Sequence, residues 1–256
     1  MRFFIGLDLG QTSDFTALSV LERQEEGPPL ALRQLARVRG RSYPKVVDDV
    51  ACVVAKLDAH CERPRVEVAA GITMPTPLTV LVVDATGVGR AVVDLLARTP
   101  MPCRLLPVTI TSGRAVTGDG AGGLHVPKRD LVGAAQLMLQ SGRLVFSREL
   151  PLIDTLVKEL DMFQVKISAA GNELFGTWRE GQHDDLVFAL SLACWAAENA
   201  IEPYTGPLVL NDWAQAHWPG GDEAKVEKPE DQRAALADLN VDLSGEWEDG
   251  ADPWRR

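Results

Sequence analysis

Cysteine and histidine are both scarce, with four of each in 256 residues. No two of Cys52, Cys61, Cys103 and Cys194 form a CxxC pair. That spacing argues against a Cys/His zinc site and fits a reducing, cytoplasmic compartment. Long apolar runs are missing, and none approaches the ~18–20 residues a membrane span needs. The opening MRFFIGLDLG holds an Asp inside its apolar stretch and lacks a small-residue cleavage site, so it does not read as a signal peptide. No GxxxxGK[ST] occurs, which removes the P-loop route to nucleotide hydrolysis. Internal repeats and heptads are absent as well. What remains is an ordinary globular composition, 46% hydrophobic and 24% charged, long enough to bury a core without staples.

The net charge of -10 is unevenly spread. Residues 201–256 hold 13 acidic and 5 basic side chains, while residues 1–200 hold 23 and 21. The acidity is thus mainly a property of the last segment. It does not exclude nucleic acid as a partner of the first 200 residues, where local patches govern binding. Residues 219–233 are charged and broken by Gly-Gly and Pro, the composition of a mobile stretch. We therefore expect one domain over 1–200 and an acidic, partly mobile extension over 201–256. Four of the six tryptophans (Trp213, Trp218, Trp247 and Trp254) fall in that extension, which suggests docking onto the core or a partner.

Within 1–200, apolar alternation and turn residues predict strands at 3–9, 15–22 and 29–38 in meander order. Helical spacing follows at 44–60, begun by Pro44. LTVLVVD at 78–84 is the cleanest strand, and ATGVG leads from it into a helix at 88–98, a strand–turn–helix unit of α/β type. A strand at 103–110, a loop with five glycines at 111–123, a helix at 128–141, a short edge strand at 143–146 and a helix at 149–162 come next. A hairpin with a Gly-Asn turn at 163–178 and an apolar helix at 184–200 complete the pattern. This order predicts a mixed sheet flanked by helices on both faces, the architecture of RNase H-like folds and of each actin-like ATPase lobe.

Carboxylates stand out against this frame. Asp8 interrupts an apolar strand, where an unpaired charge would cost several kcal/mol, so it must be paired, protonated or bound to a cation. Asp84 ends the central strand, where open α/β sheets place their ligand crevice. Asp184 and Asp185 open an otherwise apolar helix, which the helix dipole favours and which brings them near the same crevice. Three carboxylate sources on one crevice suit two Mg²⁺ or Mn²⁺ ions, whose preferred ligands are oxygens. Such a pair activates a water and stabilises the leaving oxygen of a phosphodiester. Asp8 is the natural bridge, with Asp84 toward one ion and Asp185, joined by Asp184, toward the other.

The segments IGLDLGQTSDFTALSVLE, LVVDATGVGRAVVDLL, VPKRDLVGAAQLMLQSGRLVF and GQHDDLVFALSLA, in this order across residues 3–200, resemble the nuclease domain of the large terminase subunit of tailed bacteriophages. The resemblance implies an RNase H-like fold and a two-metal endonuclease that cuts double-stranded DNA during genome packaging in the host cytoplasm. It carries the family's acidic positions onto Asp8, Asp84 and the Asp184–Asp185 pair, Asp185 being favoured as principal ligand. It implies a packaging ATPase, portal or small terminase subunit as partner. A complete large terminase begins with a P-loop ATPase, so this sequence reads as an excised nuclease domain or as one whose motor is a separate chain.

Other residues fit less specifically. Arg33, Arg37, Arg39, Arg41 and Lys45 crowd the third strand and its turn, either as phosphate contacts or as a solvated face. Lys128 and Arg129 start a helix beside the Gly-rich loop, either as DNA contacts or as surface positions, and the loop itself is expected to be mobile and to reach over DNA. Asp14 and His183 are accessory candidates that serve equally well as turn and helix caps. The rival readings are an actin-like sugar-kinase lobe, since DLGQTS resembles its phosphate loop, a Holliday-junction resolvase, and a non-enzymatic packaging subunit.

Overall fold

Alternation along the first strand divides the molecule. The structure, a computed structural model, describes residues 1–10, 14–24, 29–59, 65–69, 72–75, 77–87, 89–167, 173–176 and 183–199. The extension at 201–256 and the Gly-Asn turn lie outside the described residues. Strands β1 (Arg2–Asp8), β2 (Phe15–Arg23) and β3 (Leu30–Arg39) form the expected meander, followed by helix α1 (Tyr43–Ala59). A hairpin of β4 (Arg65–Ala69) and β5 (Ile72–Pro75) leads to β6 (Thr79–Asp84), α2 (Gly89–Arg98) and β7 (Cys103–Thr111). Then come β8 (Thr117–Gly118), β9 (Leu124–Pro127), α3 (Lys128–Gln140), β10 (Leu144–Phe146) and α4 (Ile153–Met162). The hairpin of β11 (Gln164–Ile167) and β12 (Glu173–Gly176) and helix α5 (Asp185–Glu198) close the described part.

Eight strands make one mixed sheet in the order β10-β3-β2-β1-β6-β7-β9-β8. β1 pairs antiparallel with β2 and parallel with β6, so the chain crosses over between the first and fourth strands of the central group. Phe3, Ile5 and Leu7 point to one side, where α1 and α2 seal a core through Val46, Val50, Val54, Val92 and Leu96. Phe4 points to the other, into a larger core closed by α3, α4 and α5 through Leu131, Met138, Leu156, Leu186 and Leu190. The helices thus lie on both faces, as expected, and α5 is buried along almost its whole length.

Two close approaches fix α5 on the sheet. A Cβ on Gly6 would overlap the carbonyl of Ala189, so only glycine lets the helix backbone sit against β1. On the neighbouring strand the Ser19 hydroxyl donates to the same Ala189 carbonyl at 2.9 Å. Gly6→Ala is expected to cost about 1–3 kcal/mol through overpacking, read as a lower urea midpoint at unchanged slope.

Some details differ from the sequence expectations. The β4–β5 hairpin and the four-residue β9 were not anticipated. The Gly-rich stretch contains a short strand and a turn: β8 pairs with β9, and Asp119 Oδ1 accepts the N–H groups of Ala121 and Gly123, each at 2.8 Å. α4 begins at Ile153 rather than 149, after Leu152 in a left-handed conformation with φ 65°.

Candidate functional site

Register across the sheet assembles the centre. Asp8 pairs with Ala17, and Ala17 pairs with Arg37. On the other side Leu7 pairs with Val83, so Asp8 and Asp84 follow side by side at the ends of adjacent parallel strands, and Asp84 pairs with Val108. Arg37, Ala17, Asp8, Asp84 and Val108 therefore form a row over five strands. Ala17 and Val108 belong to the core under α5, so the row faces that helix.

The turn after β6 orients Asp84. Its Oδ1 accepts the N–H of Thr86 at 2.8 Å, while the Thr86 hydroxyl accepts the N–H of Ile110 at 3.0 Å. A Cβ on Gly89 would overlap the Asp84 carbonyl, so the second glycine of ATGVG is what lets α2 start directly beneath the strand end.

The first turn of α5 supplies the remaining carboxylates. Asp184 is its N-cap residue, with Asp185 the first helical position. Arg37 Nη2 donates to Asp185 Oδ2 at 3.1 Å, and Arg37 Nη1 lies 3.2 Å from Oε1 of Glu159. Glu159 reaches from α4 to accept the N–H groups of Leu186 and Val187 at 3.0 and 3.3 Å. It satisfies two donors that a helix start leaves open. His183 Nδ1 lies 3.6 Å from both Asp185 Oδ2 and Asp14 Oδ1. Asp14, His183 and Asp185 each bring a potential ligand atom within 4.8 Å of the others, an arrangement able to hold a metal ion. Phe15 meets the His183 ring edge-on at 4.8 Å.

Charge is concentrated here beyond what the neighbours neutralise. Burial, then the nearby Asp84, Asp185, Asp184 and Asp14 carboxylates, push the Asp8 pKa well above the usual range. Burial raises Asp84 too, against the Thr86 hydrogen bonds and the positive charge of Lys128. Asp185 is pushed to about 6 and Glu159 to about 7, each mainly by burial and each partly restrained by Arg37. Lys128 is lowered by burial, opposed by Asp184, Asp8 and Asp84, and its Nζ sits 4.3 Å from the centroid of the Phe188 ring.

Asp14, His183 and Asp185 thus bring ligand atoms together, and Asp8 lies near enough to Asp84, Asp184, Asp185 and Asp14 to feel their charge. Lys128, read from the sequence as a DNA contact on the helix start, is close enough to Asp184, Asp8 and Asp84 to feel theirs. The arginine-rich stretch is neither a plain solvated face nor a row of free cations. Arg33 is paired with buried Glu22 at 2.6 Å, Arg37 enters the centre, and Arg41 forks Asp49 at 2.6 and 2.9 Å. Arg39 is exposed, with its Cζ 5.5 Å from the Phe15 ring centroid. Arg129 is exposed and donates to the Arg114 carbonyl at 2.9 Å. Beside Asp14 an open cavity of about 420 Å³ is lined by Gly10, Thr16, Arg41, Ser42 and Tyr43 among others. Glu159 was missed by sequence reasoning, since one acidic residue in an amphipathic helix gives no signal of what it meets.

No protein-family model matches the chain, and no curated protein sequence is significantly similar to it. Solved structures are similar. The large terminase nuclease from thermophilic phage G20c with bound magnesium is 24% identical over 75% of this chain and 80% of that one, at a TM-score of 0.50. Its form with bound cobalt gives 23% identity, the same coverage and a TM-score of 0.50. A third structure of that nuclease gives 21% identity and a TM-score of 0.52, again over 75% and 80% of the two chains. The chain therefore has the RNase H-like fold of large terminase nucleases. Among the described residues, no helix is long and apolar enough to cross a membrane.

Proposed function

We propose that this chain is a divalent-cation-dependent endonuclease that hydrolyses phosphodiester bonds of double-stranded DNA, in the role of a phage or prophage genome-packaging nuclease in the host cytoplasm. The observation that carries the reading is Asp8. Burial, and then four other carboxylates, raise its pKa at the end of β1, beside Asp84 on the adjacent parallel strand, an arrangement that is unfavourable unless positive charge joins it. The donors fit hard divalent ions: carboxylate oxygens with one imidazole, on a fold whose G20c relative holds magnesium in one structure and cobalt in another.

Two Mg²⁺ or Mn²⁺ ions are the reading we adopt. Asp8 would be shared, Asp84 would serve one side, and Asp184, Asp185, Asp14 and His183 the other. Bound there, the ions supply an acidified water and neutralise charge on the phosphate and the leaving oxygen. The chain's own residues bind and orient. Thr86 holds Asp84 in place, and Arg37 and Glu159 hold Asp185. Lys128 brings positive charge to the same pocket and suits a phosphate oxygen. Arg39 and Arg129 are exposed and suit the flanking backbone, while Arg41, engaged with Asp49, lines the adjoining cavity. A packaging ATPase, portal or small terminase subunit is the partner this role requires.

Incubation with supercoiled plasmid tests the reading. Nicked and linear products are expected with Mg²⁺ or Mn²⁺ and none with EDTA. ATP binding without cleavage would favour the kinase-lobe alternative, and preference for a four-way junction over plain duplex would favour a resolvase.

A further inference from the structure

Arg37 makes three contacts, and each bears on the centre. Nη2 donates to Asp185 Oδ2 at 3.1 Å, Nη1 faces Glu159 Oε1 at 3.2 Å, and Cζ lies 3.8 Å from the centroid of Phe15. Glu159 is itself anchored by the N–H groups of Leu186 and Val187, and Phe15 is braced against His183. The side chains of Arg37 and Asp185 are only 11% and 10% exposed. A planar guanidinium held on two edges and one face has little freedom to turn, and it donates to one oxygen of the Asp185 carboxylate.

We propose that Arg37 sets the cation selectivity of the centre: by engaging Asp185 Oδ2, the oxygen that also faces His183 Nδ1 at 3.6 Å, it would leave Asp185 less able to give both oxygens to one cation. This rests on the reading of the centre as a divalent-cation site. The consequence follows from ligand chemistry. Ca²⁺ takes six to eight oxygens and readily accepts bidentate carboxylates, whereas Mg²⁺ demands an octahedron of single oxygens. A carboxylate less able to give both oxygens therefore disfavours Ca²⁺ relative to the smaller octahedral ions. Arg37 acts on the ion through Asp185, so it is a positioning residue.

The test is isothermal titration of the full chain with MnCl₂ and with CaCl₂, read as the ratio of the two affinities. Both ions carry the same charge, so the ratio is insensitive to the altered local potential and isolates ligand geometry. The double variant Arg37→Met/Glu159→Gln removes both buried charges together, and the Gln carbonyl still accepts the α5 amides. Its Mn²⁺-over-Ca²⁺ preference is expected to fall by about tenfold, the scale on which residues that hydrogen-bond to metal ligands act. Arg37→Lys, which keeps the charge without the fork, is expected to shift the ratio in the same direction and serves if the double variant melts early. Binding that depends on Asp185, tested with Asp185→Asn, but keeps its ratio within about twofold in the folded variants overturns the selectivity role alone. Parent protein whose binding of both ions is indifferent to Asp185→Asn overturns the reading of the centre and this proposal with it.

Discussion

Asp8→Asn is expected to reduce cation-dependent plasmid cleavage by about 10³-fold, the scale of losing one preorganised electrostatic group, while raising the melting temperature of the ion-free protein. The two effects have one cause. Asp8 is partly buried at the end of β1, with its pKa raised by burial and by Asp84, Asp185, Asp184 and Asp14. At neutral pH an ionised Asp8 is repelled by its neighbours, and an amide of nearly the same volume removes that repulsion. The same amide is a far poorer ligand for a hard cation. Asp84→Asn is expected to lose comparable activity with a smaller gain in stability, because Thr86 already favours the charged form of Asp84. Cleavage and thermal melting measured on one preparation check both halves. Near-normal cutting by Asp8→Asn would remove that residue from the site.

The second large effect is on stability against pH. Glu159 moves from 4.5 to about 7 and Asp185 from 3.8 to about 6 on folding. Both folded values lie above the unfolded ones, so the folded chain binds more protons than the unfolded chain across the interval. The associated stability is fully present below about pH 4 and is lost as the pH rises through 6 and 7. A shift of about two units corresponds to roughly 3 kcal/mol for one group, and the two groups share Arg37, so we expect about that much for the pair. For a domain of this size it corresponds to roughly 6–12 °C in melting temperature. With EDTA present, the melting temperature should fall between pH 5.5 and pH 8, and millimolar Mn²⁺ at pH 8 should restore most of the loss. A melting temperature that climbs over that range without ions contradicts the assignment.

Much of the arrangement could be read from the chain because it depends on local chemistry. An Asp ending an apolar strand, as at Asp8 and Asp84, has few roles open to it, and ATGVG after Asp84 marks the strand–helix turn that Gly89 makes possible. Asp184 and Asp185 were conspicuous because the helix behind them is apolar on every side. The less legible parts depend on pairing at a distance. Arg37 sits on an edge-ward strand among other arginines, and only the register Asp8–Ala17–Arg37 shows that it shares a face with the carboxylates. Glu159 is one charge in an amphipathic helix, and its contacts with the start of α5 are set by the packing of α4 on α5. Lys128 reads from the sequence as a DNA contact at a helix start, and nothing local to it shows which carboxylates it faces. The parallel pairing of β9 with β7 instead carries the start of α3 to the carboxylate end of the sheet. The β4–β5 hairpin has an alternating pattern in RVEVA and ITMP, but two such short runs beside Pro and Gly give weak strand signals.

The seating of α5 on β1 has a consequence for biosynthesis. Gly6 and Ser19 leave the ribosome early, yet the carbonyl they close upon belongs to Ala189. Until α5 emerges, the strand carrying Asp8 is without the helix that covers it and without Asp184, Asp185 and His183. On the proposed function, a nascent or prematurely terminated polypeptide would contain only half of the proposed ligand set, and synthesis would have to reach α5 before any polynucleotide was at risk.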